Sequence, residues 1–242
     1  MRKALKICRD TVAASNTAHV VPDFLGSVIG TGLLPVFPAF ASDKDSIFQD
    51  PTIAGYKSQL FANLRGKADR ILEIGIGTGP NIKYYANHSG INVVGVDPNR
   101  KMEKYAQAAA EAAGLPRPNF RFMQAVAEAL PLGDASVDAV VGTLILCSVK
   151  DVDQTLQEVR RVLKPGGLYI FVEHVAAKDG TILRFVQGIL DPLQQTVADG
   201  CHLTRNTATN IAGAGFASLD VNQAVLSSAS LINPHVYGIA YR

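Results

Sequence analysis

The stretch ILEIGIGTGPN sets Glu73, Gly75, Gly77 and Gly79 at every second position, where an apolar run gives way to a helix-starting proline, Pro80. Glycines so spaced allow a tight turn with close backbone approach by a ligand, and the amino end of a following helix would favour an anion. Single residues argue against two phosphate-binding patterns. The dinucleotide fingerprint requires glycine where Pro80 stands, and a P-loop requires Gly-Lys followed by Ser or Thr where the chain reads GPN. The next apolar run ends in Asp97, 18 residues beyond Gly79, about where an acid reaches a ribose held at such a loop. Together these residues point to a small adenosine-like ligand. Glu73 has a second reading, an acid that braces the turn by accepting backbone hydrogen bonds.

Holding that loop requires alternating helices and buried strands, and the chain supplies them from Pro51 onward. PTIAGYKSQLFANLRG has helical apolar spacing and stops at Gly66; DRILEIG follows as a strand. A helix from Pro80, a strand over residues 91–97, a helix over 101–114 and a strand over 120–124 come next. VDAVVGTLILCSV, the helix VDQTLQEVRRVLKPGG and the strand LYIFVEHV continue the alternation. A helix from Thr181 to Val197 and late strands from Phe216 to Val221 and from His235 to Tyr241 complete it. Strands buried on both faces and separated by helices define a doubly wound, mostly parallel α/β sheet.

A formal net charge of +2, with 48% hydrophobic and 18% charged residues, argues against a polyelectrolyte partner such as nucleic acid. Cys8, Cys147 and Cys201 are widely separated with no CxxC spacing, which argues for a reducing intracellular compartment and against a disulfide scaffold or a metal site. Residues 1–49 read as an amino-terminal extension and residues 50–242 as the folded domain. Arg2, Lys3, Lys6 and Arg9 give the extension a basic start, and no residue from Phe24 to Ala41 is charged. Gly26, Gly30, Gly32, Pro35 and Pro38 make this a poor spanning helix. Two readings stand: an organelle leader for plastid or mitochondrion cleaved near the AFA of Ala39–Ala41, or an apolar arm that packs on the domain or lies on a membrane surface through residues 20–41.

EIGIGTGPN, GVDPN, AVAEALPLGDASVD and RRVLKPGG, in this order, resemble the class I S-adenosylmethionine-dependent methyltransferases from about Pro51 to the end of the chain. The resemblance implies a seven-stranded sheet with S-adenosylmethionine as cofactor. Gly75, Gly77, Thr78 and Gly79, with Glu73 before them, would shape the loop around its methionine part, and Asp97 would hold its ribose hydroxyls. Ala125, Val126 and Ala127 would border the adenine. Val126 stands where many relatives carry an acid that accepts from the adenine amino group, so recognition there falls to backbone groups and apolar stacking, with Met102 as a partner. TLILCSVKD, FVEHVAA, LDPLQQTVADGCHLTR and NPHVYGIAYR look like the methyltransferase-like thiol S-methyltransferases, which carry a methyltransferase type 11 domain. The quinone-biosynthesis C-methyltransferases share the front motifs. A small apolar acceptor is implied, a thiol first and a quinone or phenolic ring second, with no obligate protein partner. A reading of another class is a membrane-associated scaffold that binds the cofactor without turnover.

Methyl transfer from a sulfonium is an in-line displacement that depends on alignment and requires no metal. A thiol, with a reference pKa near 8.5, already supplies some thiolate at neutral pH; a phenol near 10 asks more of a base. Candidate proton acceptors are His174, at the carboxy end of a strand, and Asp199 and His202 in ADGCHLTR, with Arg205 nearby. Thr143 and Leu144 are expected to wall the place where cofactor and acceptor meet. Cys147 and Cys201 read as small apolar packing residues.

Overall fold

The computed structural model describes residues 51–86, 90–226 and 230–242. The expected extension of residues 1–49, with its leader or membrane-surface reading, lies outside the described residues.

The chain enters the described fold through α1 (Pro51–Ala62) and β1 (Arg70–Ile74). There follow α2 (Ile82–Tyr85), β2 (Asn92–Asp97), α3 (Glu103–Ala112), β3 (Phe120–Gln124) and β4 (Val137–Thr143). The second half runs α4 (Val152–Val162), β5 (Leu163–His174), α5 (Ile182–Val197), α6 (Thr207–Gly213), β6 (Ser218–Ala224) and β7 (His235–Tyr241). The seven strands form one sheet in the order β3-β2-β1-β4-β5-β7-β6. All neighbours from β3 to β5 are parallel, whereas β7 runs antiparallel to both β5 and β6. The order reverses between β1 and β4, a switch point where the ends of two strands splay their loops apart and leave a crevice.

Alternation along β1 shows why both faces are covered. Ile71 belongs to a cluster with residues of α1, α2 and α3, while Leu72 and Ile74 belong to a second one with Leu156 and Val159 of α4 and Ile211 of α6. α4 is specified locally. Asp151 caps it by accepting from the Gln154 N–H at 2.9 Å, Val152, Leu156 and Val159 follow helical spacing, and Arg160 and Arg161 occupy its last turn. α5 is unusual in its facing: Gln187 and Gln194 are buried, while Ile182 and Phe185 are 85% and 69% exposed. Gln187 explains part of this, accepting from the Ala177 N–H and donating to the carbonyls of Leu231 and Asn233. Among the described residues no helix is long and apolar enough to cross a membrane.

The structure departs from expectation in four places, the first at the end of α4, which stops at Val162 so that LKPGG, read as helix, opens β5. The helix after the glycine loop is only four residues long, so it brings little dipole to an anion. The run VDAVVGTLILCSV leaves the sheet after Thr143, because Leu144 adopts a left-handed φ of 54°. α6 was not expected from the sequence, since TATNIAG carries a weak helical apolar pattern and ends in glycine.

Candidate active site

At the end of β1 the chain turns through Gly75 (φ 62°), Gly77 (φ 52°) and Gly79 (φ 80°). Gly75 is required twice over: its conformation disfavours a side chain, and a Cβ there would lie 2.6 Å from Ile145 Cδ1. The face of Gly77 is open by contrast, with nothing nearer to a Cβ than the Gly75 carbonyl at 4.0 Å. Thr78, between Gly77 and Gly79, is exposed at the crest of the loop.

Beneath this loop lies a buried polar network. Asn81 Nδ2 donates to Glu73 Oε1 at 2.7 Å and to Thr143 Oγ1 at 3.1 Å, and Asn81 Oδ1 accepts from Lys57 Nζ at 2.9 Å. The Tyr85 hydroxyl donates to Glu73 Oε2. Burial raises the Glu73 carboxyl to about 7, against the two hydrogen bonds and the Lys57 charge. Burial likewise lowers Lys57 to about 7, against the Glu73 charge. Glu73 thus braces the turn through side chains, not through the backbone hydrogen bonds of its second reading. Lys57, Asn81 and Tyr85 are the members that sequence reasoning missed. Two signals were present: Lys57 falls at helical spacing with the buried Ile53, Leu60 and Phe61 of α1, and Asn81 and Tyr85 are four residues apart.

Asp97 closes β2 with both carboxylate oxygens in use. Oδ2 accepts from the Gly77 N–H at 3.0 Å and Oδ1 from the Asn99 N–H at 2.8 Å, tying the end of β2 to the glycine loop. A carboxylate offers about four acceptor positions, so each oxygen keeps one for a ligand. Burial raises the Asp97 pKa, the two N–H groups oppose it, and the charge of Asp199 adds to the rise. Asp199 itself is left-handed, at φ 51°.

Farther along the edge, the Ala125 N–H donates to the Asp97 carbonyl at 3.3 Å, Val126 is 45% exposed, Ala127 is buried and Met102 is half-buried. Glu128 accepts from the Lys150 and Asp151 N–H groups and so steadies the entry to α4. On the other side, Glu173 of β5 accepts from the Ile145 and Leu146 N–H groups at 3.1 and 3.2 Å. This buried acid, unforeseen within the apolar run LYIFVEHV, holds the strained turn at Leu144 against the sheet.

The proposed proton acceptors separate in space. His174 is buried and its Nε2 faces Cys201 Sγ at 3.1 Å. His202 Nδ1 lies 3.5 Å from Asp191 Oδ2, and Asp191 Oδ1 accepts from the Leu203 N–H in the turn after α5. Arg205 donates to the carbonyls of Leu146, Cys147 and Val149, pinning the loop after β4. A hollow of about 330 Å³ lined by Arg70, Asn92, Leu132 and Val137 lies at the strand starts, the opposite edge from these residues, and is not part of the site.

A parallel sheet with one antiparallel strand near its end, a glycine loop after β1 and an acid closing β2 define the fold of the class I S-adenosylmethionine-dependent methyltransferases. Among solved structures, an S-adenosylmethionine-dependent methyltransferase of Thermotoga maritima shares the fold with a TM-score of 0.59 at 20% identity, covering 85% of this chain and 97% of that one. Residues 72–171 match the methyltransferase domain family. Thiol S-methyltransferase TMT1A of Homo sapiens is 40% identical over 216 residues, covering 85% of this chain and 86% of the human protein. Thiol S-methyltransferase TMT1B of Rattus norvegicus is 39% identical over 194 residues, 77% of this chain and 78% of the relative. The chain belongs to the family of these methyltransferases, and its cofactor is S-adenosylmethionine.

Proposed function

We propose that this enzyme transfers a methyl group from S-adenosylmethionine to the sulfur of a small, apolar thiol. The observation that carries the reading is the 40% identity to a thiol S-methyltransferase across 85% of the chain, too long a match to be confined to the cofactor half. Bound at the glycine loop, the cofactor supplies an electrophilic methyl carbon on a sulfonium sulfur.

The residues around it have distinct tasks. Gly75, Gly77, Thr78 and Gly79 border the methionine part; the open face of Gly77 admits it and the Glu73–Asn81–Lys57 network fixes the loop beneath. Asp97 receives the ribose hydroxyls on its remaining acceptor positions. Met102, Ala125, Val126 and Ala127 flank the adenine, where the exposed Val126 offers apolar contact and no acceptor. Thr143 and Leu144 wall the meeting point, which Glu173 keeps in place. Asp97 suits a cationic sulfonium, and the exposed Asp199, whose charge is felt at Asp97, is our candidate to take the thiol proton ahead of the buried His174. In the reaction the thiol sulfur forms the new S–C bond as the sulfonium C–S bond breaks, its electron pair staying with S-adenosylhomocysteine.

The test is S-adenosylhomocysteine release by the full chain given S-adenosylmethionine and either a small alkyl thiol or a hydroquinone. Release with the thiol is expected. Release with the hydroquinone alone overturns the thiol assignment and moves the enzyme to ring methylation.

A further inference from the structure

Cys147, His174 and Cys201 come from the loop after β4, the end of β5 and the turn after α5, yet their Sγ, ring nitrogen and Sγ atoms all lie within 4.8 Å of one another. All three side chains are buried, and His174 Nε2 is 3.1 Å from Cys201 Sγ. We propose that these three residues bind a thiophilic d10 metal ion, Zn²⁺ or Cu⁺. With metal–sulfur bonds of about 2.3 Å and metal–nitrogen bonds of about 2.0 Å, tetrahedral ligands sit roughly 3.5 to 3.8 Å apart, so the side chains reach an ion with shifts of about an ångström or less.

Three observations favour a built site over apolar packing. The imidazole is oriented by Nε2 alone, since the buried Nδ1 has no hydrogen-bond partner among the described residues. A weak contact to a thiol is poor compensation for burying a histidine, whereas a metal–nitrogen bond offsets that cost. Secondly, the backbone around the ligands is clamped. The Cys147 carbonyl accepts from the His202 N–H at 2.9 Å, and Arg205 donates to the carbonyls on either side of Cys147. Thirdly, the Cys147 sulfur has a polar neighbour, the Ser148 hydroxyl at 3.5 Å, positioned to donate to a thiolate, and the Arg205 cation on the same loop favours that charge. Two thiols lose their protons to solvent as two metal–sulfur bonds form, so the affinity rises with pH. Zinc would complete four-coordination with a water or an external ligand, while Cu⁺ is satisfied by three ligands. The proposal is independent of which acceptor is methylated.

The test uses the full chain, reduced and stripped with a chelator, titrated with Zn²⁺ or Cu⁺ against a chromophoric competitor, and separately with Co²⁺. One equivalent bound, release of about two protons and a thiolate-to-cobalt absorption band are expected. C147S and C201S should each weaken binding by about a hundredfold or more and reduce the cobalt band by about half, with H174N also weakening binding and C8S matching the unmodified protein. Binding by C147S or C201S equal to the unmodified protein overturns the assignment. So does a reduced protein that takes up no Zn²⁺, Cu⁺ or Co²⁺. Should a variant fail to fold, the cobalt spectrum and stoichiometry of the unmodified chain decide.

Discussion

Glu73, Asn81 and Tyr85 sit on one continuous stretch of chain, and only Lys57 and Thr143 reach their network from elsewhere. Cys147, His174 and Cys201 share no stretch at all; each is delivered by a different element. The first cluster is built of oxygens and nitrogens joined by hydrogen bonds, the second of two sulfurs and an imidazole at ligand separation. Both lie toward the carboxy ends of the strands. The difference teaches that one sheet edge can carry a locally encoded site and a second one that exists only once β4, β5 and α5 have docked.

Removing the bond between β2 and the glycine loop should break the comparison most forcefully. Asp97→Ala deletes the acceptor for the Gly77 and Asn99 N–H groups and should weaken S-adenosylmethionine binding by about 1 to 3 kcal/mol, checked by calorimetric titration. Unchanged affinity would remove Asp97 from the ribose. Metal binding by the cysteine pair should be untouched, which separates the two regions.

A second test uses pH. The Glu73 pKa is raised to about 7, so its favourable contribution is fully present below its ordinary 4.5 and is lost as pH rises through about 7. Lys57, lowered to about 7, contributes fully above its ordinary 10.5 and loses that contribution as pH falls through about 7. Urea unfolding should therefore show the network contributing least near neutrality. Glu73→Gln should flatten the limb between about pH 4.5 and 7, and an unaltered slope there would show that Glu73 titrates normally.

Asp199 bears on both regions: its charge adds to the rise of the Asp97 pKa, and it precedes Cys201 by two residues. Asp199→Asn should lower the thiol-methylation rate by about tenfold at pH 7 and recover most of it by pH 9, where the thiol ionises unaided. A uniform loss across that range would make Asp199 a residue of the turn alone. The smallest effect is expected at Val126. Val126→Asp places an acceptor at the adenine border and should tighten cofactor binding by no more than about 1 kcal/mol, with stability changed by about 0.5 kcal/mol or less at this exposed position. Weaker binding would show that the apolar contact is what the adenine uses.

Legibility in the sequence followed the range of the interactions. Gly75, Gly77, Gly79 and Asp97 were readable because a tight turn and an acid one βαβ step later are set by local backbone geometry. The strand and helix order was readable for the same reason, through period and caps, and α4 with its Asp151 cap is the clearest instance. Glu173 was not readable as an anchor, since its partners, the Ile145 and Leu146 N–H groups, come from the neighbouring strand's loop. That Asp191 of α5 stands 3.5 Å from the His202 ring was not readable either, because α5 and the turn after it meet only in the fold.

Amino-acid order alone determined a doubly wound sheet, a glycine turn poised over β1 and an acid at the end of β2, because each depends on residues near one another in the chain. Tertiary structure decided that Lys57 is buried beneath the loop, that Leu144 turns left-handed under the grip of Glu173, and that two cysteines and a histidine converge. Those outcomes depend on strand order and loop docking, and spacing along a chain carries no record of which distant segments a packed sheet will bring together.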